Sequence, residues 1–217
     1  MLKLTVASLL LFSTACPASA AIVIAGYDFN AGNGVASIVD ANAAASNFTA
    51  GGGLGTVTFV TDVAAREFNT ADYNAAVTAG DYFTFTATAD AGYALNLSDL
   101  KLRETRSTNG PTGFQINVNG TPVTPSLSTT TTYTGHTILL SSFTGLSSAT
   151  IQIVAWGGSS TGGMGTRNWF NDDVELSGTV EPLVAVPEAS SLMVWSLLGS
   201  IVSSVAMVRR SQSQFAV

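Results

Sequence analysis

The sequence predicts an all-β fold, a two-sheet β-sandwich or jelly roll, flanked by an N-terminal signal peptide and a C-terminal transmembrane helix. Apolar and polar residues alternate with a period of two in several segments, and clusters of Gly, Asn, Asp and Pro separate these segments. Two uncharged apolar stretches lie near the ends of the 217-residue chain. No long stretch shows helical periodicity, and eight or more short strands in about 160 residues are typical of a sandwich.

The alternation is clearest around Phe83 and Phe85, which face one side of a predicted strand while Thr84 and Thr86 face the other. Asn119-Gly120 predicts a two-residue hairpin turn, because both residues tolerate positive φ. Similar rows are Phe114, Ile116 and Val118; Ile151, Ile153 and Ala155; and Val174 and Leu176. Further strands are predicted within residues 22–29, 56–61, 95–102 and 137–140.

Residues 1–20 are typical of a secretory signal peptide. Lys3 precedes an apolar run over residues 4–12, and Ala18-Ser19-Ala20 forms an A-x-A cleavage site. The apolar run is too short to span a bilayer. An alternative interpretation makes Cys16 a lipid-bearing cysteine, although Ser13 stands where such a site normally has Leu or a similar residue.

The C-terminal segment, residues 187–212, is predicted to contain a transmembrane helix over residues 192–208. As a helix these residues would rise about 26 Å, slightly less than the roughly 30 Å hydrocarbon core. Arg209 and Arg210 should remain cytoplasmic and leave the β domain outside. With a transmembrane helix, residues 21–180 are the extracellular domain, residues 181–186 a linker, and residues 213–217 the end of a cytoplasmic tail. The alternative is that residues 192–208 form a buried helix of the globular domain.

Val186, Pro187 and Glu188, followed by an apolar helix and a basic pair, resemble the PEP-CTERM sorting signal. Ala189 stands where the family motif has a second proline. The resemblance implies recognition by an exosortase, a membrane cysteine transpeptidase. The protein would first be membrane-anchored and would then be released or attached to the cell surface.

The domain itself resembles the β-sandwich of many PEP-CTERM proteins. That resemblance implies an architecture similar to carbohydrate-binding modules, which is a likeness of fold and does not establish an activity. The segments that carry the resemblance are Asp81-Tyr82-Phe83-Thr84-Phe85, Leu97-Ser98-Asp99-Leu100, Arg106-Ser107-Thr108-Asn109-Gly110-Pro111 and Asn171-Asp172-Asp173-Val174-Glu175-Leu176-Ser177-Gly178.

The charge balance argues against a nucleic-acid partner. Residues 21–180 contain 12 acidic and five basic side chains, so no basic patch is expected to displace counterions from phosphates. The single cysteine, Cys16, lies in the predicted signal peptide. The mature protein is therefore expected to have no disulfide, no cysteine nucleophile and no cysteine-ligated metal.

Trp156 and Trp169 flank a glycine-rich stretch that also contains Arg167 and Asn168. An exposed indole can stack on the apolar face of a sugar, and the two polar side chains can hydrogen-bond its hydroxyl groups. These four residues are the candidate polysaccharide-binding site. The alternative places both tryptophans in the core.

Asp28, Asp172 and Asp173 are candidate ligands for a structural Ca²⁺, because the first and last strands of a jelly roll often lie side by side. The alternative is that these carboxylates are solvated at strand ends. No other cofactor is expected.

No catalytic residue is predicted. His136 follows no nucleophile motif, and Asp173 and Glu175 alternate with core-type Val174 and Leu176, which places the two acids toward solvent. The expectation is an exported, non-catalytic surface or matrix module that binds polysaccharide. The alternatives are an extracellular carbohydrate-active enzyme and a structural envelope protein without a small ligand.

Overall fold

The computed structural model describes residues 20–55, 57–65, 68–159 and 168–183. These ranges contain one short helix and thirteen strands. In chain order they are β1 (Ile22–Tyr27), β2 (Ile38–Val39), β3 (Ala43–Ala45), β4 (Thr49–Ala50), β5 (Thr58–Phe59), β6 (Val63–Ala65), α1 (Tyr73–Ala79), β7 (Tyr82–Ala89), β8 (Tyr93–Arg106), β9 (Gly113–Val118), β10 (Thr121–Ser128), β11 (Thr134–Leu139), β12 (Ser148–Trp156) and β13 (Trp169–Pro182).

The strands form two sheets in which every neighbouring pair is antiparallel. Sheet A has the order β11-β8-β13-β1-β2, with β6 also paired to β13 and β5 to β6. Sheet B has the order β10-β9-β12-β7-β3, with β4 also paired to β7. The all-β prediction is confirmed, and the first and last strands are neighbours as expected.

The core lies between the two sheets because the inward positions of both are apolar. Phe83, Phe85 and Ala87 of β7 are buried, which confirms the predicted alternation. Tyr27 of β1 reaches across from sheet A, and its ring centroid lies 4.9 Å from that of Phe85. Each large side chain buried in this way contributes about 1.5–3 kcal/mol relative to an exposed position.

Strand β9 differs from the predicted alternation, because both of its faces are buried. Gln115 donates a side-chain N–H to the carbonyl of Val123, and the hydroxyl of Tyr73 in α1 donates to Asn117 at 2.5 Å. These hydrogen bonds compensate for the burial of two amides. The predicted hairpin is present: β9 and β10 are joined by Asn119-Gly120, both with positive φ.

Helix α1 was not predicted from the sequence, which indicated strands only. Asp72 caps its N-terminus by accepting the backbone N–H of Ala75 at 3.0 Å. Gly80 ends it in the left-handed conformation, with φ of 86°. In the described part of the chain, no helix combines the length and apolar character needed to cross a bilayer.

Both predicted targeting segments lie almost entirely outside the described residues. This applies to the signal peptide up to residue 19, to the C-terminal helix, and to the residues of the sorting motif and basic pair: Val186, Pro187, Glu188, Arg209 and Arg210. The described chain ends one residue after β13.

Candidate functional site

The outer surface of sheet A carries two cationic side chains of β8, Lys101 and Arg103. Leu100, Leu102 and Glu104 face the core, so the residues between them, Lys101 and Arg103, face solvent. Strand register extends this polar row across the sheet. Lys101 lies opposite Thr137 on one side and opposite Glu175 on the other. Glu175 in turn lies opposite Gly26, which pairs with Ile38.

A β-bulge in β13 brings two consecutive carboxylates to the same cation. The register between β8 and β13 shifts between Asp172 and Glu175, and Asp173 has φ of 47°. The Arg103 guanidinium therefore lies 3.4 Å from Asp172 Oδ2 and 3.1 Å from Asp173 Oδ2. Lys101 Nζ forms a parallel ion pair with Glu175 Oε1 at 3.2 Å.

The bulge also changes the electrostatics of Asp172. Partial burial raises the pKa of this carboxyl above its ordinary value, and the negative charge of Asp173 raises it further. The backbone N–H of Asp173 and the guanidinium of Arg103 act in the opposite direction. The arrangement thus concentrates negative charge at one point of the sheet.

Tyr133 supplies an aromatic ring beside these ion pairs. Arg103 Cζ lies 5.2 Å from the centre of this ring, within the range of a cation–π contact. The phenol donates a hydrogen bond to Asp62, and the ring remains 45% exposed. Burial, the hydrogen bond to Asp62 and nearby carboxylates raise the pKa of Tyr133 above its ordinary value, so the phenol remains a hydrogen-bond donor even in alkaline solution.

Two depressions on this surface share Asp173 and Glu175. The first is lined by Lys101, Leu102, Arg103, Gly135, His136 and Thr137, and the second by Gly26, Tyr27, Asp28, Ser37, Ile38 and Val174. Together they form a polar groove across the strands of sheet A. We call the groove and the adjacent Tyr133 the charged groove.

Trp169 is 0% exposed, so it cannot stack on a sugar as predicted from its position beside the glycine-rich stretch. It occupies an inward position of β13, where its ring packs against Phe68, Phe83 and Phe114 at centroid distances of 5.4–5.9 Å. Its indole Nε1–H donates to Glu104 at 2.9 Å. The alternative considered from the sequence, a core tryptophan, is correct for this residue.

Trp156 is partly exposed on the outer face of sheet B, so it does not share a surface with Trp169. Its ring lies over Gly113, where an added Cβ would come within 3.0 Å, and makes an edge contact with Tyr73. Asn168 precedes β13 and is half-buried, and its backbone N–H donates to Ser107 Oγ at 2.9 Å. Arg167 lies outside the described residues.

The candidate calcium ligands do not form a metal-binding cluster. Asp28 is close in the sheet to Asp173, since Tyr27 pairs with Val174. However, Asp172 and Asp173 are engaged by Arg103, and Asp28 accepts the backbone N–H of Asn30. Within the described ranges, no three His, Cys, Asp or Glu side chains are placed to hold one ion.

Sequence reasoning missed Glu104, whose carboxylate is fully buried. It accepts from the Trp169 indole and from the backbone N–H of Thr130 at 3.0 Å, and His136 Nε2 lies 3.4 Å away. These contacts replace the hydration that a buried carboxylate loses. They also fix the segment that leads to Tyr133. The signal in the sequence was the inward position of Glu104 in the alternating row that begins at Leu100.

No protein-family model and no curated protein matches the chain. Among solved structures, a family 29 carbohydrate-binding module overlaps 73% of this chain and 90% of its own, with 12% identity and a TM-score of 0.42. A family 29 module from Piromyces equi has 10% sequence identity to this chain and a TM-score of 0.40. The match covers 74% of this chain and 91% of that module. A module of that family complexed with mannohexaose has 9% sequence identity to this chain and a TM-score of 0.39. The match covers 73% of this chain and 93% of that module. These values identify neither a family nor a ligand for this chain.

Proposed function

We propose that this protein is an exported, non-catalytic surface or matrix module that binds polysaccharide through the charged groove. One observation carries the proposal. Two ion pairs, Lys101–Glu175 and Arg103–Asp173, lie side by side on an open face of sheet A, next to the ring of Tyr133. An open groove across several strands accommodates a polymer that continues beyond both ends of the site.

The chemistry of the groove suits sugars. A carboxylate paired with a cation keeps a fixed orientation and still has lone pairs for a hydroxyl group, and the guanidinium has further N–H donors for a ring or hydroxyl oxygen. The exposed part of Tyr133 provides an apolar surface for a pyranose ring. Because Arg103 and Asp62 hold this ring in place, binding loses little side-chain entropy.

The charge balance of the groove favours some glycans over others. Its two cations, Lys101 and Arg103, are outnumbered by six carboxylates. Three line the groove (Asp28, Asp173 and Glu175), and three contact its residues from the side (Asp62, Asp99 and Asp172). A polymer of uronic acids would be repelled. We expect neutral or amine-bearing polysaccharides to bind more tightly.

A carbohydrate-active enzyme on the same face remains the competing function. Asp173 and Glu175 would be the carboxylate pair. Each is engaged by a cation, at 3.1 Å and 3.2 Å, which favours a binding role over proton transfer. Incubation with a bound polysaccharide distinguishes the two, because an enzyme releases shorter oligosaccharides and a binding module returns the polymer intact.

Export and C-terminal sorting are also part of the proposal. They are supported by the sequence features of residues 1–20 and 187–212 and by the resemblance to PEP-CTERM signals. In this scheme an exosortase recognises Val186, Pro187 and Glu188, and the segment 192–208 holds the protein in the membrane until processing.

The test of binding compares two aromatic variants on opposite sheets. Tyr133→Ala is expected to weaken retention on a neutral or amine-bearing polysaccharide about tenfold, which corresponds to the loss of one stacking contact. Trp156→Ala, on sheet B, should leave binding unchanged. Circular dichroism checks that each variant is folded. The reverse result would move the site to sheet B, and failure of the wild type to bind any neutral or amine-bearing glycan would favour a structural envelope protein.

A further inference from the structure

Strand β11 forms an unprotected edge of sheet A. Within the described residues it pairs only with β8. The other long edge strand, β10, contains Pro122 and Pro125 and a break in register between Val123 and Leu127. The opposite edges, β2 and β3, have two and three residues. Proline, irregularity and shortness are the usual protections against strand addition, and β11 has none of them.

The backbone of β11 directs hydrogen-bonding groups away from the sandwich. Leu140 donates its backbone N–H to Ser98 of β8 at 2.8 Å. Groups that face one neighbour alternate along an antiparallel strand, so Thr134, His136 and Ile138 also point toward β8. Gly135, Thr137 and Leu139 therefore present their N–H and C=O groups to the outside. These three residues are exposed.

We infer that β11 is a self-association site, at which a second copy of this chain adds its own β11 antiparallel about a two-fold axis at Thr137. In that register each outward-facing residue meets another outward-facing residue, and Leu139 lies opposite Gly135 of the second copy. Leu139 is 74% exposed, whereas an added Cβ at Gly135 would meet no atom within 4 Å. The leucine of one copy thus fills the space that the glycine of the other leaves open.

The inner side of the edge is also suited to a second strand. A mainly apolar slot runs between β10 and β11 and is lined by Val123, Pro125, Leu127 and Ile138, together with Thr124, Thr137 and Leu139. In the proposed register, Ile138 of the second copy lies opposite His136 and faces this slot. The inner face of the added strand then contacts this apolar slot, while on its outer face Leu139 lies beside Gly135.

Charge favours a second copy over a charged partner. β11 contains no Asp, Glu, Lys or Arg, so two copies meet along the edge without like-charge repulsion. A two-fold pair would place two charged grooves on one continuous sheet, on the same side. Two linked sites bind a polymer more tightly than one. The inference itself does not depend on glycan binding.

The test uses the full chain extracted in detergent, with Cys16→Ser as background so that no native thiol remains. Thr137→Cys places two cysteines at the two-fold axis, where an antiparallel hydrogen-bonded pair has Cα atoms about 5.5 Å apart, within disulfide range. Mild oxidation should yield a covalent dimer. Thr121→Cys, at a residue that is also exposed but lies on β10, should remain mainly monomeric.

Light scattering provides an independent measurement. Leu139→Lys should weaken dimerisation at least tenfold, because it replaces the leucine that lies beside Gly135 of the second copy. Thr137→Pro should have a similar effect, because it removes an N–H that points away from β8 toward the second copy. Val60→Lys, at a residue 66% exposed and outside β11, is the control and should leave the dimer intact. The inference is overturned if the wild type is monomeric at micromolar concentration, if both cysteine variants cross-link equally, or if Leu139→Lys dimerises normally.

Discussion

The indole N–H of Trp169 donates to the carboxylate of Glu104 at 2.9 Å, and both side chains are 0% exposed. This hydrogen bond joins β13 to β8 within the core. It explains why a tryptophan and a glutamate, two residue types common at binding sites, are here part of the structural framework. The same carboxylate holds Thr130, three residues before Tyr133 of the charged groove.

Replacement of Glu104 by Ala is expected to reduce the free energy of unfolding by about 3 kcal/mol or more. The buried indole N–H of Trp169 would lose its acceptor, and so would the partly buried backbone N–H of Thr130. Glu104→Gln retains one acceptor oxygen and should cost less. Urea denaturation followed by tryptophan fluorescence measures both. Glu181→Ala removes an exposed carboxylate and should change stability by less than about 0.5 kcal/mol. Equal effects of Glu104→Ala and Glu181→Ala would contradict this account.

Asp172→Asn is expected to stabilise the protein at neutral pH. Because burial and Asp173 raise the pKa of Asp172 in the folded state, ionisation of this carboxyl opposes folding. The penalty is present above the folded-state pKa and disappears below the ordinary value of 3.8, where both states are protonated. The stabilisation, less than about 1 kcal/mol at a partly exposed site, should therefore vanish in acid. The test compares the denaturation midpoints of the wild type and Asp172→Asn at neutral pH and at a pH below 3.8. A gain in stability that persists in acid would exclude the charge explanation.

Gly178→Ala is expected to destabilise the fold by about 1–3 kcal/mol or more. An added Cβ at Gly178 would lie 2.1 Å from the backbone oxygen of Asn96, which cannot move without disturbing the pairing of β8 with β13. Gly52→Ala is the matched control, because no atom lies within 4 Å of its added Cβ. Thermal unfolding should give a clearly lower melting temperature for Gly178→Ala than for Gly52→Ala. Similar melting temperatures for the two variants would show that β8 and β13 can separate locally.

Processing of the chain ends makes a separate prediction. Intact-mass analysis of the protein from its native host should give an N-terminus at Ala21, since cleavage is expected after Ala18-Ser19-Ala20. A lipid-modified N-terminus at Cys16 would support the alternative signal. If an exosortase acts, the mature C-terminus should lie near Glu188, and Glu188→Gln should cause the full-length form to accumulate.

Much of the sandwich was predictable, because its strands are amphipathic over short distances. The inward positions of Phe83, Phe85, Ile151 and Ile153 followed from alternation alone. The helix α1 was not predicted, although Asp72 and Gly80 are typical capping residues, because its seven residues include only one buried side chain. Periodicity cannot reveal so short an element with so little buried surface.

The candidate site was predictable only in part. Sequence placed Asp173 and Glu175 toward solvent, as observed. It also proposed a sugar site at Trp156 and Trp169, but the fold leaves Trp156 partly exposed on sheet B and buries Trp169 in the core. The bulge that brings Asp172 and Asp173 to Arg103 has no reliable sequence signal. It depends on the pairing of residues about 70 positions apart in the chain.

The sequence by itself determined the all-β class, the inward positions around Phe83, Ile116, Ile151 and Leu176, the Asn119-Gly120 turn and the acidic charge balance. Each of these depends on residues close together in the chain or on composition. Only the tertiary structure decided that Trp169 is buried, that Lys101 and Arg103 meet acidic side chains of β13, and that β11 pairs with β8 alone among the described strands. These outcomes depend on strand order and register, which arise from contacts between distant segments that local periodicity does not encode.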